Sequence, residues 1–244
     1  DKGDIRLKRM SMDPGAALHP KNGKPIPMRC NWYNEEDWYK VDNPKSMVER
    51  DYQWAENETG VMKLEKNLQV PEDAVDYNTT TEKWEEVGPN TRSAVKVTYK
   101  VNTGKWHDGH DLTIKDLMAN YAFMKELGYK DSTDDKWYYE HFYAKDWYET
   151  IVATEWNGEN QTYTIWGDYT SPFDSRIGKY YTKYIFPVVP HQLYEAAQFL
   201  VNQDYEAEKY IPGDVERYSW DDQINEGINS LSESQGQDFT ATLQ

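Results

Sequence analysis

Between residues 93 and 101 apolar and polar side chains alternate, with Val95, Val97, Tyr99 and Val101 separated by Lys96, Thr98 and Lys100. A period of two predicts a half-buried strand. Asn102 to Gly104 reads as a turn. The period then lengthens, and Ile114, Leu117, Met118, Tyr121, Met124 and Leu127 fall on one face of a helix. Thr113 with Asp116 three residues later approximates a capping box, Asp standing where Glu or Gln is usual. Gly128 is placed to close the helix in a left-handed conformation.

The rest of the chain is patterned more weakly. Residues 1–60 are irregular: Pro14, Gly15, Pro20, Gly23, Pro25 and Pro27 punctuate the first half, and HPKNGKPIP looks like an exposed hairpin. Residues 61–70 allow a strand, and Pro71 with Glu72 and Asp73 suits a short helical turn that Thr79 to Thr81 break. After Gly128, Ser132 or Asp131 can cap a helix starting near Asp134, with Trp137, Tyr138, His141, Phe142 and Lys145 near one face. Residues 149–169 predict a hairpin about Asn157-Gly158. Its return strand carries Tyr163, Ile165 and Gly167 on one face and Thr162, Thr164, Trp166 and Asp168 on the other, so Trp166 points away from the core-facing set. Helices are expected from Asp174 (Ile177, Tyr180, Tyr181, Tyr184), over 192–201 after Val189-Pro190-His191, and over 221–231 (Ile224, Ile228, Leu231).

Composition narrows the function. A net charge of −16 argues against nucleic acid and anionic membranes as partners. The chain has 10 Trp and 20 Tyr against 6 Phe, and rings with a polar handle suit a partly wet binding surface. The lone Cys30 excludes an internal disulfide and is expected to be buried and inert. No apolar stretch is long enough to span a bilayer. Asn57, Asn78 and Asn160 each open an N-x-Thr sequon, which permits glycosylation in a secreted chain.

Tests for chemistry return little. His107 and His110 have metal-ligand spacing but no third ligand nearby, so no metal is expected. Asp108 and Gly109 read instead as a structural turn. No nucleophile elbow and no phosphate-binding glycine loop is present, and Cys30 has no neighbouring His. The chain is therefore not expected to be an enzyme or to carry a cofactor.

The stretch KVTYKVNTGKWHDGHDLTIKDLM resembles the signature of family 5 extracellular solute-binding proteins, which serve peptide, nickel and oligosaccharide ABC importers. The matching residues are Trp106, His107, Asp108, Gly109, Leu112, Thr113 and Asp116. The order strand, signature helix, hairpin, helix, Val-Pro-x, helix is similar over about 100 residues, and the closest flavour is the archaeal branch. The resemblance implies an α/β fold, with periplasmic-binding-protein type II-like lobes built of a mixed sheet and flanking helices. It also implies capture of an oligopeptide or oligosaccharide by lobe closure, membrane subunits of an ABC importer as partners, and an extracellular or cell-envelope location, peripheral to the membrane at most. On this reading residues 1–60 are an irregular N-terminal segment of the lobe, 61–235 the solute-binding-protein-like domain with its signature at 93–128, and 236–244 the tail of a truncated chain. Trp106, Trp137, Tyr138, Trp166 and Tyr169 are the ligand-stacking candidates, chosen by position. The alternative is a cell-surface or filament-associated structural protein of the same ancestry.

Overall fold

The computed structural model describes residues 15–34, 46–106, 109–131, 135, 137–138, 144–183, 185–186, 190–192 and 194–195. The expected helix over 221–231, the 236–244 tail, and His107, Asp108, His141, Phe142, Tyr184 and Val189 lie outside the described residues.

In chain order, β1 (Ala16–Leu18) and β2 (Pro25–Pro27) form the expected small hairpin. Then come β3 (Cys30–Asn31), β4 (Val48–Arg50), β5 (Tyr52–Glu56), β6 (Met62–Lys66), β7 (Leu68–Gln69), β8 (Val75–Asn78) and β9 (Lys83–Glu86). β10 (Arg92–Ser93) and β11 (Val95–Val101) precede α1 (Ile114–Gly128) and α2 (Lys145–Glu149). β12 (Ile151–Asn157), β13 (Thr162–Gly167) and α3 (Asp174–Tyr181) complete the set.

The main sheet runs β3-β11-β13-β12-β8-β9, with β4 sharing the β3 edge of β11. All pairings among the described residues are antiparallel, where a mixed sheet was expected. The short turns at 79–82 and 158–161 impose this on β8–β9 and β12–β13, because a parallel neighbour needs a long crossover. The result is a sheet-rich fold with helices packed on it.

Alternation along β11 places Val95, Val97, Tyr99 and Val101 in the core, and the register Val97↔Ile165 and Tyr99↔Tyr163 continues that face into β13. Leu117 and Tyr121 of α1, Trp147 and Tyr148 of α2 and Ile177 and Tyr181 of α3 close over it. Fully burying each such side chain is worth about 1.5–3 kcal/mol. Cys30 lies in this core as a free thiol, and burial pushes its pKa up against a small opposing pull from Arg29.

Trp166 does face away from that core, but it is not exposed. It is 6 % accessible and packs with Val70, Ala74 and Ala153 in a second, smaller core on the opposite face of the sheet. Its indole N–H donates to Glu155, and Lys96 Nζ lies 4.9 Å from its ring centroid.

Other expectations change. Gly128 stays inside α1 in helical conformation, and the helix ends at Tyr129 in extended backbone with its N–H on Lys125 O. The segment after Pro71 is one turn (Ala74 N–H donates to Pro71 O) followed by the β8–β9 hairpin. Of the helix expected from near Asp134, residues 132–134, 136 and 139–143 lie outside the described residues; at its described positions Asp135 Oδ1 accepts the backbone N–H groups of Trp137 (2.9 Å) and Tyr138 (3.1 Å), and α2 begins at Lys145. No helix among the described residues is long and apolar enough to cross a membrane.

Candidate functional site

On either side of His107 and Asp108 the backbone between β11 and α1 closes on itself. Trp106 N–H donates to His110 O (2.8 Å) and Gly109 N–H to Trp106 O (3.0 Å). Gly109 has φ +92°, a conformation that favours glycine. Lys105 Nζ spans the turn to Asp111 Oδ1 (2.7 Å), and Leu112 anchors its far side in the core.

Asp116 is the best-connected residue of the signature. It is 1 % exposed. Its Oδ2 accepts Thr113 N–H (2.7 Å) and Thr113 Oγ1–H (3.1 Å), the capping geometry expected at this helix start. Its Oδ1 accepts His191 N–H (2.8 Å) and faces His191 Nδ1 (2.9 Å). A carboxylate only accepts, so that ring nitrogen carries the proton. Burial works against the ionised form of Asp116, but the bonds from Thr113 and His191 outweigh it and hold the carboxyl below its ordinary range. One carboxylate thus ties the start of α1 to the helical turn that opens at His191, 75 residues away.

The described residues also form an open groove of about 340 Å³ where the β8–β9 hairpin meets the C-terminal end of α1. Asp76, Tyr77 and Asn78 line it from β8, Glu85 and Glu86 from β9, and Lys125 and Tyr129 from α1 and its cap. Asp76 is neutralised: Lys125 Nζ donates to Oδ2 (2.8 Å) and Tyr121 O–H to Oδ1 (2.8 Å). Glu85 accepts Thr81 Oγ1–H (2.6 Å) and Asn78 Nδ2–H (2.8 Å), and these bonds lower its pKa. Lys125 and Lys145 flank the Tyr129 ring at 5.6 and 5.5 Å. Glu85 and Glu86 give the groove two exposed carboxylates, with Lys83 acting on Glu85, beside the rings of Tyr77 and Tyr129. That lining suits a polar or cationic solute and offers no nucleophile paired with a base.

Behind the groove lies Glu126, 8 % exposed, with Oε1 buried and unpartnered. Burial first, then the charges of Glu82, Asp131 and Asp135, push its carboxyl up to about 7, against a hydrogen bond from Tyr77. A raised carboxyl pKa favours the folded state at low pH. Below about 4.3 both states are protonated. As the pH rises towards about 7 the unfolded chain ionises first, and that advantage is lost. Glu126→Gln is expected to raise stability by about 2 kcal/mol at pH 8 and to change it little at pH 4, read by urea unfolding at both values. An equal effect at the two values would show that folding does not shift the Glu126 carboxyl.

None of the five stacking candidates lines this groove. Trp106 is half-buried against the main core with its indole N–H buried and unpartnered. Trp137 is buried, and Tyr138 has Lys130 5.7 Å from its ring. Trp166 sits in the second core, and Tyr169 is stacked on Tyr180 at 3.7 Å between centroids. The sequence reading missed Asp76, Glu85, Lys125 and Tyr129; the alternation of Val75 with Tyr77 and of Trp84 with the acids around it was the available signal.

Among the described residues, no group of three or more His, Cys, Asp or Glu side chains is arranged to hold a metal ion. Of the sequons, Asn57 and Asn160 are exposed in hairpin turns, and Asn78 is half-buried at the groove. Compared with known proteins, the chain matches no family model and no curated protein.

Proposed function

We infer that the chain is the signature-bearing lobe of an extracellular solute-binding protein of the family 5 kind, with type II-like topology, delivering an oligopeptide or oligosaccharide to an ABC importer. The observation that carries this reading is the double role of Asp116. The two motifs on which the resemblance rests, the strand–turn–helix over 93–128 and the Pro190-His191 helix start, meet on one buried carboxylate. The groove beside α1 is the ligand-facing surface on this reading, and binding acts by shifting the population of open and closed arrangements rather than by chemistry on the solute.

The test is a thermal-shift screen of short peptides and oligosaccharides. A true ligand at roughly 100 times its Kd stabilises by about 2.7 kcal/mol, a shift of several degrees. Glu85→Gln and Tyr129→Ala are expected to reduce the shift, since both side chains line the groove. If no peptide or oligosaccharide moves the transition, solute capture is wrong. A shift that both variants leave untouched moves the site elsewhere on the lobe.

A further inference from the structure

The β5–β6 hairpin forms a two-stranded ribbon of its own, and no strand among the described residues pairs with the outer edge of β6. Its register, Tyr52↔Lys66, Gln53↔Glu65, Trp54↔Leu64, Ala55↔Lys63 and Glu56↔Met62, divides β6 between two faces. Met62, Leu64 and Lys66 share one face with Trp54, and Lys63 and Glu65 share the other. Two backbone bonds fix the phase of the ladder: Asn57 N–H donates to Val61 O (2.9 Å) and Asn67 N–H to Asp51 O (3.0 Å). In an antiparallel pair, hydrogen-bonded and non-bonded positions alternate. Lys63 and Glu65 therefore turn their backbone groups to β5, and Met62, Leu64 and Lys66 turn theirs to the free edge. Met62 is 54 % exposed, and Lys63 and Glu65 are exposed with it.

A free edge is a template for another strand, and proteins commonly guard it with charge. Guards of one sign repel in every register. β6 instead carries one charge of each sign on the same face, two residues apart. Neither Lys63 nor Glu65 has an ion-pair partner among the described residues, and Glu65 accepts a hydrogen bond from the neutral Gln53 amide. A second β6 laid antiparallel on this edge, about a two-fold axis at Leu64, sets Leu64 opposite its own copy. Lys63 then faces Glu65 of the second copy, and Glu65 faces the second copy's Lys63. Both pairs fall at non-hydrogen-bonded positions, where opposite side chains stand closest. Moving the axis by one residue in either direction sets Lys63 against Lys63 or Glu65 against Glu65, so charge selects one register. On the other face Met62 lies across from Lys66, whose methylene stem covers it. The β5 edge offers no such match, because a two-fold axis at Trp54 sets Gln53 against Ala55.

We propose that the β6 edge is a contact between two copies of this chain, which join antiparallel about Leu64 into one sheet of order β5-β6-β6-β5. The contact is isologous, so it closes at two copies and does not propagate. Joining the ribbons also ends the marginal state of a two-stranded sheet. The antiparallel arrangement keeps the two bodies apart. Tyr52, opposite Lys66, packs on the main core, whereas Met62 stands at the far end beside the hairpin turn, so the bodies lie at opposite ends of the shared strands. No residue of the contact lines the groove, and the inference is independent of solute capture.

Sedimentation velocity of the 244-residue chain is expected to show a monomer–dimer equilibrium with Kd on the order of 100 μM, since one strand pair is a small interface. Lys63→Glu and Glu65→Lys should each weaken the dimer by about tenfold, because each sets like charges across both pairs. Bulk repulsion alone predicts otherwise: Glu65→Lys lowers the net negative charge of the chain and would strengthen association. Mixing the two variants should restore the dimer as a heterodimer, since both cross-strand pairs are again opposite in sign. The Lys63→Glu/Glu65→Lys double variant should dimerise like the parent. Hydrogen exchange should find the N–H groups of Met62, Leu64 and Lys66 protected at high protein concentration and open at low. A chain still monomeric at about ten times the expected Kd overturns the proposal. A dimer that the single variants leave unchanged, or that forms without protecting those three N–H groups, uses another surface and overturns it too. Single variants that weaken the dimer while neither mixing nor the double variant restores it rule out the Leu64-centred register.

Discussion

Gly178→Ala is expected to lower stability by about 3 kcal/mol, although in an exposed helix interior the same change raises it by about 1 kcal/mol. Gly178 lies in α3, where a Cβ would stand 2.4–2.5 Å from three atoms of the Trp32 indole. Trp32 cannot give way easily: it is fully buried, with the rings of Tyr33 and Tyr99 at 5.3 and 6.2 Å. The helix is also pinned at Gly178 itself, because Tyr99 O–H donates to Gly178 O (2.6 Å). Moving α3 off the indole breaks that bond, and moving the indole disturbs two rings. Thermal unfolding reads the effect as a fall of roughly 6–12 °C. Ser175→Ala on the same helix removes atoms rather than adding them and should leave Tm level or slightly higher. A Gly178→Ala protein at or above the parent Tm would show that the Trp32–α3 contact has slack.

That contact illustrates what the sequence could and could not say. Alternation over 93–101 and the helical face after Thr113 depend on neighbours in the chain, and both were legible, including the Thr113–Asp116 cap. The orientation of Trp166 was legible for the same reason, since period-two alternation sets the face. Its burial was not, because the cover comes from Val70 and Ala74, almost 100 residues earlier. At Asp135 the carboxylate takes the N–H groups of Trp137 and Tyr138, a local competition with helical bonding that hydrophobic spacing does not reveal. The groove was hidden by two steps at once. Thr79 to Thr81 read as the end of a helical turn rather than as a hairpin loop, and the opposite wall, Lys125 and Tyr129, comes from some forty residues further on.

Asp116→Ala is expected to cost about 4 kcal/mol, because it strands the buried donors of Thr113 and His191 together. The two ends of the loss can be separated. Asp116→Asn keeps the volume and one acceptor, but its NH₂ must face either the Thr113 donors or the His191 donors, so it should lose about half as much. Hydrogen exchange should then show whether the N–H of Thr113 or that of His191 has been released. The pH dependence has a definite sign. A carboxyl held below its ordinary range stabilises the fold at every pH above the unfolded value, near 4, and that contribution disappears as the pH falls through the folded value. Glu126 acts in the opposite direction over a higher window, between about 4 and about 7. The parent protein should therefore gain stability from pH 8 down towards 5 through Glu126 and lose it below 4 through Asp116. Asp116→Asn should flatten the acid limb and leave the upper one intact. If instead Asp116→Asn unfolds along the parent's acid limb, the carboxylate does not hold His191 in solution, and the link between the two signature motifs is lost with it.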